Sequence, residues 1–421
     1  MNRTSRWWAT SVALAVIAAS AWLPQPAAVA STADSVPRAY QHLDGAMDEW
    51  ALAPTLRLPS SYHAGYLDFW DNSVLYDDAL VMIAYANRPA TDPQRSASIT
   101  RAKNMGDAFL KMQANDPKGD GRLRNAYGPQ NLFSTSGVPN IQTSGSALGN
   151  MAWSGLALTH LYNVTSDVRY LNGAIKLGDW IINNTTDTRG AGGFTGGLNS
   201  DGTKIMWKSS EHNIDAAGFF GALYQATNNS KWLTQSNRAK TFLASMWNST
   251  AGRFEIGTTN DGITTNTNEY IPEDVQSWAY LLTLSATYAP ALQWNIANLE
   301  VTDSSVPATP ITGVRFALQT NPANLSHNDK TVWLEGTAHM ALALKCQGST
   351  ANQAKSATYI QNLQRAQDAG PNRDGKGIQA NSRVGYSGGD DTGYTSLHTG
   401  ATAWYVMAAQ GINPFKLGSV C

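Results

Sequence analysis

The feature that most constrains the fold is a repeated pairing of helical segments along the chain. Apolar residues recur with helical spacing, and no stretch is dominated by the alternation typical of a half-buried strand. In each pair the first segment is apolar on all sides, which indicates a buried helix, and the second carries more charge. The predicted helices are 37–50, 73–87, 96–115, 145–162, 167–184, 211–227, 231–247, 273–287, 290–299, 333–345, 351–368 and 397–410.

Six such pairs favour an all-α fold, an (α/α)6 toroid of six helical hairpins. The apolar segments would form an inner ring and their partners an outer ring, with 37–50 closing the circle beside the last helix. Short turns join the two members of a pair, and long Gly/Asn/Asp-rich loops precede the first member, so the long loops should gather at one end. No linker divides the chain, and we expect 31–421 to be a single catalytic domain. A two-domain all-α arrangement is the alternative.

The N-terminus has the pattern of a secretory signal. Arg3 and Arg6 precede an apolar run at 7–23, and Ala28-Val29-Ala30 offers a small-residue cleavage site. Residues 1–30 are therefore predicted to be a signal peptide and the product to be extracellular. No other run approaches the length of a membrane span.

Export suggests two kinds of covalent modification. Cys346 and Cys421 are predicted to form a disulfide that fixes the C-terminus, and two thiols are too few for a zinc site. The Asn-x-Ser/Thr pattern predicts N-glycosylation. The six acceptor positions are Asn163, Asn183, Asn184, Asn228, Asn248 and Asn324.

The balance of charged residues restricts the kinds of molecule that the protein is expected to bind. Only 14% of the 421 residues are charged and the formal net charge is −1, which argues against nucleic acid or an anionic membrane surface. The 14 Trp and 16 Tyr residues suit the stacking of sugar rings, although most would belong to the core. We expect a monomer that binds a polysaccharide or oligosaccharide. The common phosphate-loop, metalloprotease and serine-hydrolase motifs are absent, and no cofactor is predicted.

Polar and aromatic residues concentrate where the long loops meet the inner helices. In a ring of hairpins these junctions converge on one cavity. Glycoside hydrolysis needs an acid for the leaving oxygen, a base for water and flat apolar faces for sugars. The candidate catalytic residues are Glu211, Asp274, Glu335 and Asp391. The candidate substrate-binding residues are Trp70, Asp71, Trp207, His212, Asn213, Asp215, Trp278, Trp333 and His398.

Each candidate also has a purely structural interpretation. Glu211 could simply complement a helix dipole, and Asp274, two residues after Pro272, could serve only to start a helix. His398 could be a hydrogen-bonded core histidine, and the tryptophans could pack. Glu335 stands beside an apolar helix, where an unpaired charge is costly, so its position favours a function or a buried partner.

Several stretches of the chain resemble motifs of the secreted six-hairpin glycosidases. The stretches are 151–158 with Tyr170-Leu171 and Asp179-Trp180, 207–215, 273–279, and 332–338. The resemblance covers most of the mature chain and implies an (α/α)6 barrel with glycosidase activity. It does not identify a particular family, and no acid/base pair is carried over residue by residue.

The mechanism we favour from the sequence is inversion, with Glu211 as the acid. Inversion places two carboxyl groups about 6.5–9.5 Å apart on opposite faces of the sugar. Asp215 lies one turn after Glu211 on the same helix, so we expect Asp215 and Asn213 to support the acid or bind sugar. The base is left open among Asp71, Asp274, Glu335 and Asp391.

Two other functions are alternatives to hydrolysis. A polysaccharide lyase on the same fold would need a base and a group that neutralises a uronate, but 30 basic against 31 acidic residues predict no basic cleft. The residues available for those roles are His212, Asn213, Arg383, Tyr394 and His398. A non-catalytic carbohydrate-binding toroid is the third possibility, and the ring of acids argues against it.

Overall fold

Twelve α-helices organise the described part of the chain. The computed structural model describes residues 32–50, 55–267, 269–305 and 309–421, so the predicted signal peptide lies outside the described residues. The helices are α1 (Thr32–Asp48), α2 (Leu75–Ala86), α3 (Arg95–Asn115), α4 (Leu148–Thr165), α5 (Val168–Thr185), α6 (Ser210–Thr227), α7 (Ser230–Ser245), α8 (Glu273–Thr283), α9 (Pro290–Leu299), α10 (Leu334–Gln347), α11 (Thr350–Ala369) and α12 (Thr399–Gln410).

The helices form the predicted double ring. Helices α2, α4, α6, α8, α10 and α12 each pack against the next, and α12 packs against α2 to close the circle. Helices α3, α5, α7, α9 and α11 each pack on the inner helix that precedes them, while α1 packs against α12. The all-α (α/α)6 toroid is therefore confirmed, including the closure of the ring by the first helix.

Burial explains which helices are inside. In α10 every side chain from Leu334 to Leu344 is buried, as expected for a helix that is apolar on all faces. Outer helices bury one face only, and several begin at a capping side chain, such as Asp167 for α5 and Ser349 for α11. Helix α8 ends at Thr283, four residues before its predicted end, because Leu284 adopts a left-handed conformation.

Short antiparallel strands tie the long loops together at one end of the ring. None of the described strands exceeds four residues, so the alternation that identifies a strand in a sequence cannot develop. The pairs are β1–β16, β2–β3–β4, β5–β6–β7, β8–β9, β10–β13, β11–β12 and β14–β15. Their bounds are β1 (Tyr62–His63), β2 (Ser73–Val74), β3 (Ala126–Tyr127), β4 (Ile141–Thr143), β5 (Ser146–Ala147), β6 (Gly197–Leu198), β7 (Lys204–Ile205), β8 (Trp247–Asn248), β9 (Arg253–Phe254), β10 (Tyr270–Pro272), β11 (Glu300–Asp303), β12 (Ile311–Val314), β13 (Ala317–Gln319), β14 (Gly385–Tyr386), β15 (Thr392–Gly393) and β16 (Leu397–His398).

The C-terminal segment closes the opposite end of the ring. Phe415 is buried, with its ring centroid 5.2 Å from that of Trp153. Asn413 Nδ2 donates a hydrogen bond to the carbonyl oxygen of Leu281 near the end of α8. The predicted disulfide between Cys346 and Cys421 is present and anchors this segment to the end of α10.

Two further sequence predictions concern membrane spans and N-glycosylation. Among the described residues, no helix combines the length and the apolar character that a membrane crossing requires. Of the predicted glycosylation positions, Asn163, Asn183 and Asn228 are exposed. Asn184, Asn248 and Asn324 are half-buried.

Candidate active site

All six inner helices begin around one cavity at the loop end of the ring. Its volume is about 520 Å³. Most of the side chains that line it stand in the first two turns of the inner helices or just before them, because each long loop ends where an inner helix starts. Tyr62 and Phe316 come from earlier parts of the long loops. Its walls include Trp70, Tyr62, Tyr76, Asp77, Trp153, Glu211, His212, Asp274, Trp278, Phe316, Trp333, Glu335 and His398.

Two further cavities adjoin the central one. A cavity of about 610 Å³ shares Glu211, His212 and Asp274 with it and is bounded by Trp207 and Tyr270. A third, of about 370 Å³, shares Phe316 and Trp333 and contains Asp391. The cleft therefore extends away from Asp274 in more than one direction.

One side of the central cavity holds three neighbouring carboxyl groups, those of Glu211, Asp215 and Asp274. Asp215 and Asp274 are buried, whereas Glu211 is half-buried. Burial, reinforced by the charge of Glu211, raises the pKa of Asp274 well above the usual range for an aspartate. The same two causes raise the pKa of Asp215. Asp274 therefore faces the cleft with its protonated form favoured relative to that of an ordinary aspartate.

Buried polar groups lie at the floor of the cavity and behind it. The indole N–H of Trp153 interacts with Asp215 and acts to lower its pKa, whereas the indole N–H of Trp278 donates no hydrogen bond within the described part of the chain. Buried polar groups are normally satisfied by protein, ordered water or a ligand. The indole N–H of Trp278 is therefore available to water or to a hydroxyl group of a sugar.

The opposite side of the cavity is built around Glu335. Its Oε1 accepts a 2.7 Å hydrogen bond from the Tyr76 hydroxyl and lies 3.6 Å from His339 Nε2, and its Oε2 lies 3.5 Å from His398 Nδ1. Burial acts to raise the pKa of Glu335, but the neighbouring imidazoles of His339 and His398 and the Tyr76 hydroxyl outweigh it. The resulting pKa is lower than that of an ordinary glutamate, so Glu335 stays ionised.

His339 is the cation that holds this carboxylate network together. Its Nδ1 lies 3.1 Å from Glu273 Oε2, and its ring is enclosed by Trp278, Trp333 and Trp404 at centroid distances of 5.0, 5.1 and 4.3 Å. Burial alone would lower the pKa of His339, but Glu273 and Glu335 raise it to about 9. His339 is therefore an imidazolium at neutral pH.

Two other histidines face the cavity, and their surroundings shift their pKa values in opposite directions. His398 Nε2 lies 3.1 Å from Asp77 Oδ1 and its ring stacks on Tyr62 at 4.6 Å. Burial opposes the charge of His398, but the neighbouring Asp77 and Glu335 raise its pKa. Burial lowers the pKa of His212, which packs beside Trp207 at 5.5 Å. The charged form is therefore favoured in His398 and disfavoured in His212.

The structure brings most of the predicted site residues together. Around the central cavity stand Trp70, Glu211, His212, Asp274, Trp278, Trp333, Glu335 and His398, and Trp207 lines the adjoining cavity. Asp215 lies behind this wall, beside Gly149, where a Cβ would stand 3.0 Å from Asp215 Oδ2.

Three predicted residues lie elsewhere. The Asn213 amide is occupied by backbone groups, accepting from Phe194 N and donating to the carbonyls of Phe194 and Ser209. Asp391 is exposed in the third cavity, and Asp71 is exposed outside all three. The proposed chemistry therefore does not involve Asn213, Asp391 or Asp71.

Two of the residues considered for a lyase also lie outside the central cavity. Arg383 forms ion pairs with Asp329 and Asp303, and Tyr394 stacks on Tyr66 at 4.3 Å. No basic group remains in the central cavity beyond the histidines, among the lining residues that the structure describes. This arrangement does not favour recognition of a uronate.

Some site residues were not predicted from the sequence. His339 follows Glu335 by four residues and so shares its helix face, a spacing that could have identified it. Tyr76 and Trp153 belong to apolar helices and look like core residues in the sequence. Phe316 precedes β13 inside a long loop, and nothing in the sequence marks it.

The residues present can be compared with the needs of a metal ion. Within the described residues, no group of three or more His, Cys, Asp or Glu side chains is arranged to hold one. His339 and His398 are instead paired with carboxylates of the protein, those of Glu273 and Asp77.

The fold and the cavity together define an (α/α)6 barrel of the six-hairpin type. No protein-family model and no curated protein matches the chain. Solved structures do match its fold. A family 76 glycoside hydrolase from a bovine Bacteroides thetaiotaomicron strain has a TM-score of 0.61 and 15% identity, over 89% of this chain and 77% of that one.

Two further structures match over almost their whole length. A D-mannose isomerase has a TM-score of 0.64 and 11% identity, covering 93% of this chain and 99% of that one. A sugar epimerase from a ruminal bacterium has a TM-score of 0.65 and 12% identity, covering 90% and 99%. At these identities the similarity concerns the fold alone, an (α/α)6 toroid.

Proposed function

We propose that the protein is a secreted glycoside hydrolase that cleaves O-glycosidic bonds of a polysaccharide or oligosaccharide by inversion. The observation that carries this proposal is the opposite behaviour of two carboxyl groups in one cavity. Asp274 has a raised pKa and Glu335 a lowered one. Titratable groups whose environments push their pKa values apart mark the acid and the base of a hydrolytic site.

In the proposed reaction Asp274 donates its proton to the glycosidic oxygen while the bond from that oxygen to the anomeric carbon breaks. Glu335 takes a proton from a water molecule whose oxygen forms the new bond to the anomeric carbon. The leaving sugar thus receives the proton of Asp274, and the site is restored when Glu335 releases its proton to solvent and Asp274 takes one up from solvent. This assignment moves the acid from Glu211, the choice from the sequence, to its more buried neighbour Asp274.

Glu211 keeps a part in this scheme. Its negative charge is one of the causes of the raised pKa of Asp274, because a second charge beside it is unfavourable. The aromatic faces of Trp70, Trp278 and Trp333 line the same cavity and suit the stacking of sugar rings. The predicted signal peptide and the disulfide support an extracellular site of action.

The test is product analysis with the purified protein and a panel of soluble neutral polysaccharides. New reducing ends and shorter oligosaccharides are expected, and proton NMR during the first turnovers should show the anomer opposite to that of the cleaved bond. Retention of configuration would refute inversion. Absence of hydrolysis across the panel, from a protein whose circular dichroism shows it to be folded, would refute the proposed function.

A second candidate function is isomerisation or epimerisation of a reducing sugar. The observation that favours it is the pair of histidines in the cavity, whose pKa values shift in opposite directions, down for His212 and up for His398. His212 could remove a proton beside a carbonyl group and His398 could return it. The D-mannose isomerase and sugar epimerase of the same fold add to its interest. Incubation of free aldoses in D2O separates the two functions, because only isomerisation or epimerisation exchanges the C2 hydrogen without consuming a glycosidic bond.

A further inference from the structure

The exposed aromatic side chains of the protein are concentrated in one short segment. Tyr66, Phe69 and Trp70 are 60, 73 and 39% exposed. In the described part of the chain these are the only exposed side chains of Phe, Trp or Tyr. Exposed apolar groups in a cluster mark a surface that another molecule covers.

Ring contacts place these side chains in two sets. In the set that lines the active-site cavity, Tyr62 stacks on His398, and Trp70 stacks on Tyr62 at a centroid distance of 6.0 Å. In the second set Phe69, which directly precedes Trp70 in the chain, meets Tyr66 edge-on at 5.7 Å, and Tyr66 stacks on Tyr394 at 4.3 Å. We call this second set, made of Tyr66, Phe69 and Tyr394, the aromatic rim.

The loop that carries the aromatic rim is held in place by hydrogen bonds. Ser61 N donates to Asn72 O at 2.8 Å, which joins the two ends of the loop, and Leu67 N donates to Ser396 Oγ at 2.9 Å. Gly65 has a φ of +70°, and a Cβ there would stand 2.5 Å from Asn372 Nδ2. The rings are therefore exposed by an ordered loop, and binding to them costs little ordering.

We propose that the aromatic rim is a distal sugar-binding platform, which holds units of a neutral glycan chain beyond those in the cavity. The inference rests on the proposed function and names its substrate class as a polymer. Trp70 lines the cavity and directly follows Phe69 of the rim in the chain, so a glycan leaving the cavity on this side meets aromatic faces. On another side the cleft continues past Asp274 towards Trp207 and Tyr270, which leaves room for sugars there too.

The test compares a variant carrying both Tyr66→Ala and Phe69→Ala with a matched control, Val168→Ala. Val168 is 56% exposed and begins outer helix α5, at the end of the ring opposite the long loops. For a soluble glucan and a soluble mannan, kcat/KM on the polymer is divided by kcat/KM on the disaccharide of the same linkage. Loss of two stacking contacts should lower this ratio roughly tenfold.

The control variant should leave the ratio unchanged. An equal ratio in the aromatic variant and in the wild type would overturn the proposal. So would a wild-type dimer, seen by sedimentation, that Phe69→Ala dissociates, because the rim would then be covered by a second copy of the chain.

Binding separates failure of the platform from failure of the proposed function. Calorimetry on the Asp274→Asn background measures affinity for the hexasaccharides and disaccharides of the same glucan and mannan without turnover. If the wild type hydrolyses no glycan but the rim variant still loses hexasaccharide affinity selectively, the platform stands and the hydrolase proposal falls. If the wild type hydrolyses the polymer and the rim variant binds hexasaccharide normally, the platform falls alone.

Discussion

At the scale of single residues, the candidate site shows that partners decide the protonation of a buried carboxyl group. Burial acts on Asp274 and Glu335 in the same direction. Asp274 has acidic neighbours and its pKa rises, whereas Glu335 has two imidazoles and a tyrosine hydroxyl and its pKa falls. Both residues were predicted from the sequence as site candidates, because a charged group at the start of an apolar helix is costly to bury unless it has a partner or a function. The sequence could not indicate their opposite pKa shifts, since Tyr76 reaches Glu335 across 259 positions of the chain.

The pH profile of activity should respond to His339. The base must be ionised, so the acidic limb of kcat/KM against pH reports the pKa of Glu335. In His339→Gln the carboxylate loses the partner that holds its pKa low, and we expect the acidic limb to move to higher pH. His160→Gln is the control, because His160 is equally buried but bonds to the carbonyl of Pro414 near the closed end. An acidic limb that stays in place in His339→Gln would contradict the role given to this histidine.

The stability of the protein should fall with rising pH, because the interaction of His339 with Glu273 and Glu335 favours the charged imidazole. The pKa of His339 is about 9 in the folded protein, against about 6.5 in an unfolded chain. The stabilisation is therefore fully present below pH 6.5 and is lost as the pH rises through 9, with a size on the order of 3 kcal/mol. Urea unfolding at pH 6.5, 8 and 9.5 should show this loss in the wild type and a smaller one in His339→Gln. Equal pH dependence in both proteins would count against it.

At the scale of elements, long regular segments were predictable and short ones were not. Helices such as α4 and α11 have enough turns for their apolar spacing to stand out, and α11 begins one residue before its prediction. The strands of two to four residues carry no such pattern, and their pairing depends on distant segments, as when β1 joins β16. The C-terminal segment was predicted to be fixed by a disulfide. No sequence pattern predicted that this segment inserts beneath the cavity floor.

That segment provides a test of stability. The bond between Cys346 and Cys421 spans 75 positions, for which a loop-entropy model gives about 4 kcal/mol. The double variant Cys346→Ser and Cys421→Ser should lose about 2–4 kcal/mol of unfolding free energy, measured by denaturant titration. The wild type in dithiothreitol is the control and should match the variant. A variant as stable as the oxidised wild type would contradict the anchoring role of the disulfide.

At the scale of the whole molecule, topology explains why the site could be located before its chemistry was known. Six hairpins in a ring place every inner-helix start at one end, so residues far apart in sequence face one cavity. The shape of the cleft was less predictable from the sequence, because residues of the long loops, such as Phe316 and Tyr270, line the cavities that extend from its centre. Asp71 and Asp391 illustrate the limit, since both stand beside predicted junctions yet remain exposed outside the central cavity.

The central claim is that Asp274 supplies the proton and Glu335 activates water. The measurement that tests it most directly compares two substrates of the same sugar, an oligosaccharide and a nitrophenyl glycoside whose leaving group needs no proton. We expect Asp274→Asn to lower the rate on the oligosaccharide by about 10²–10⁴ and to have far less effect on the nitrophenyl glycoside. Glu335→Gln should depress both reactions to a similar extent, while Asp201→Asn in an exposed turn should change neither. Equal losses on the two substrates in Asp274→Asn, or near-normal rates in Glu335→Gln, would contradict these roles.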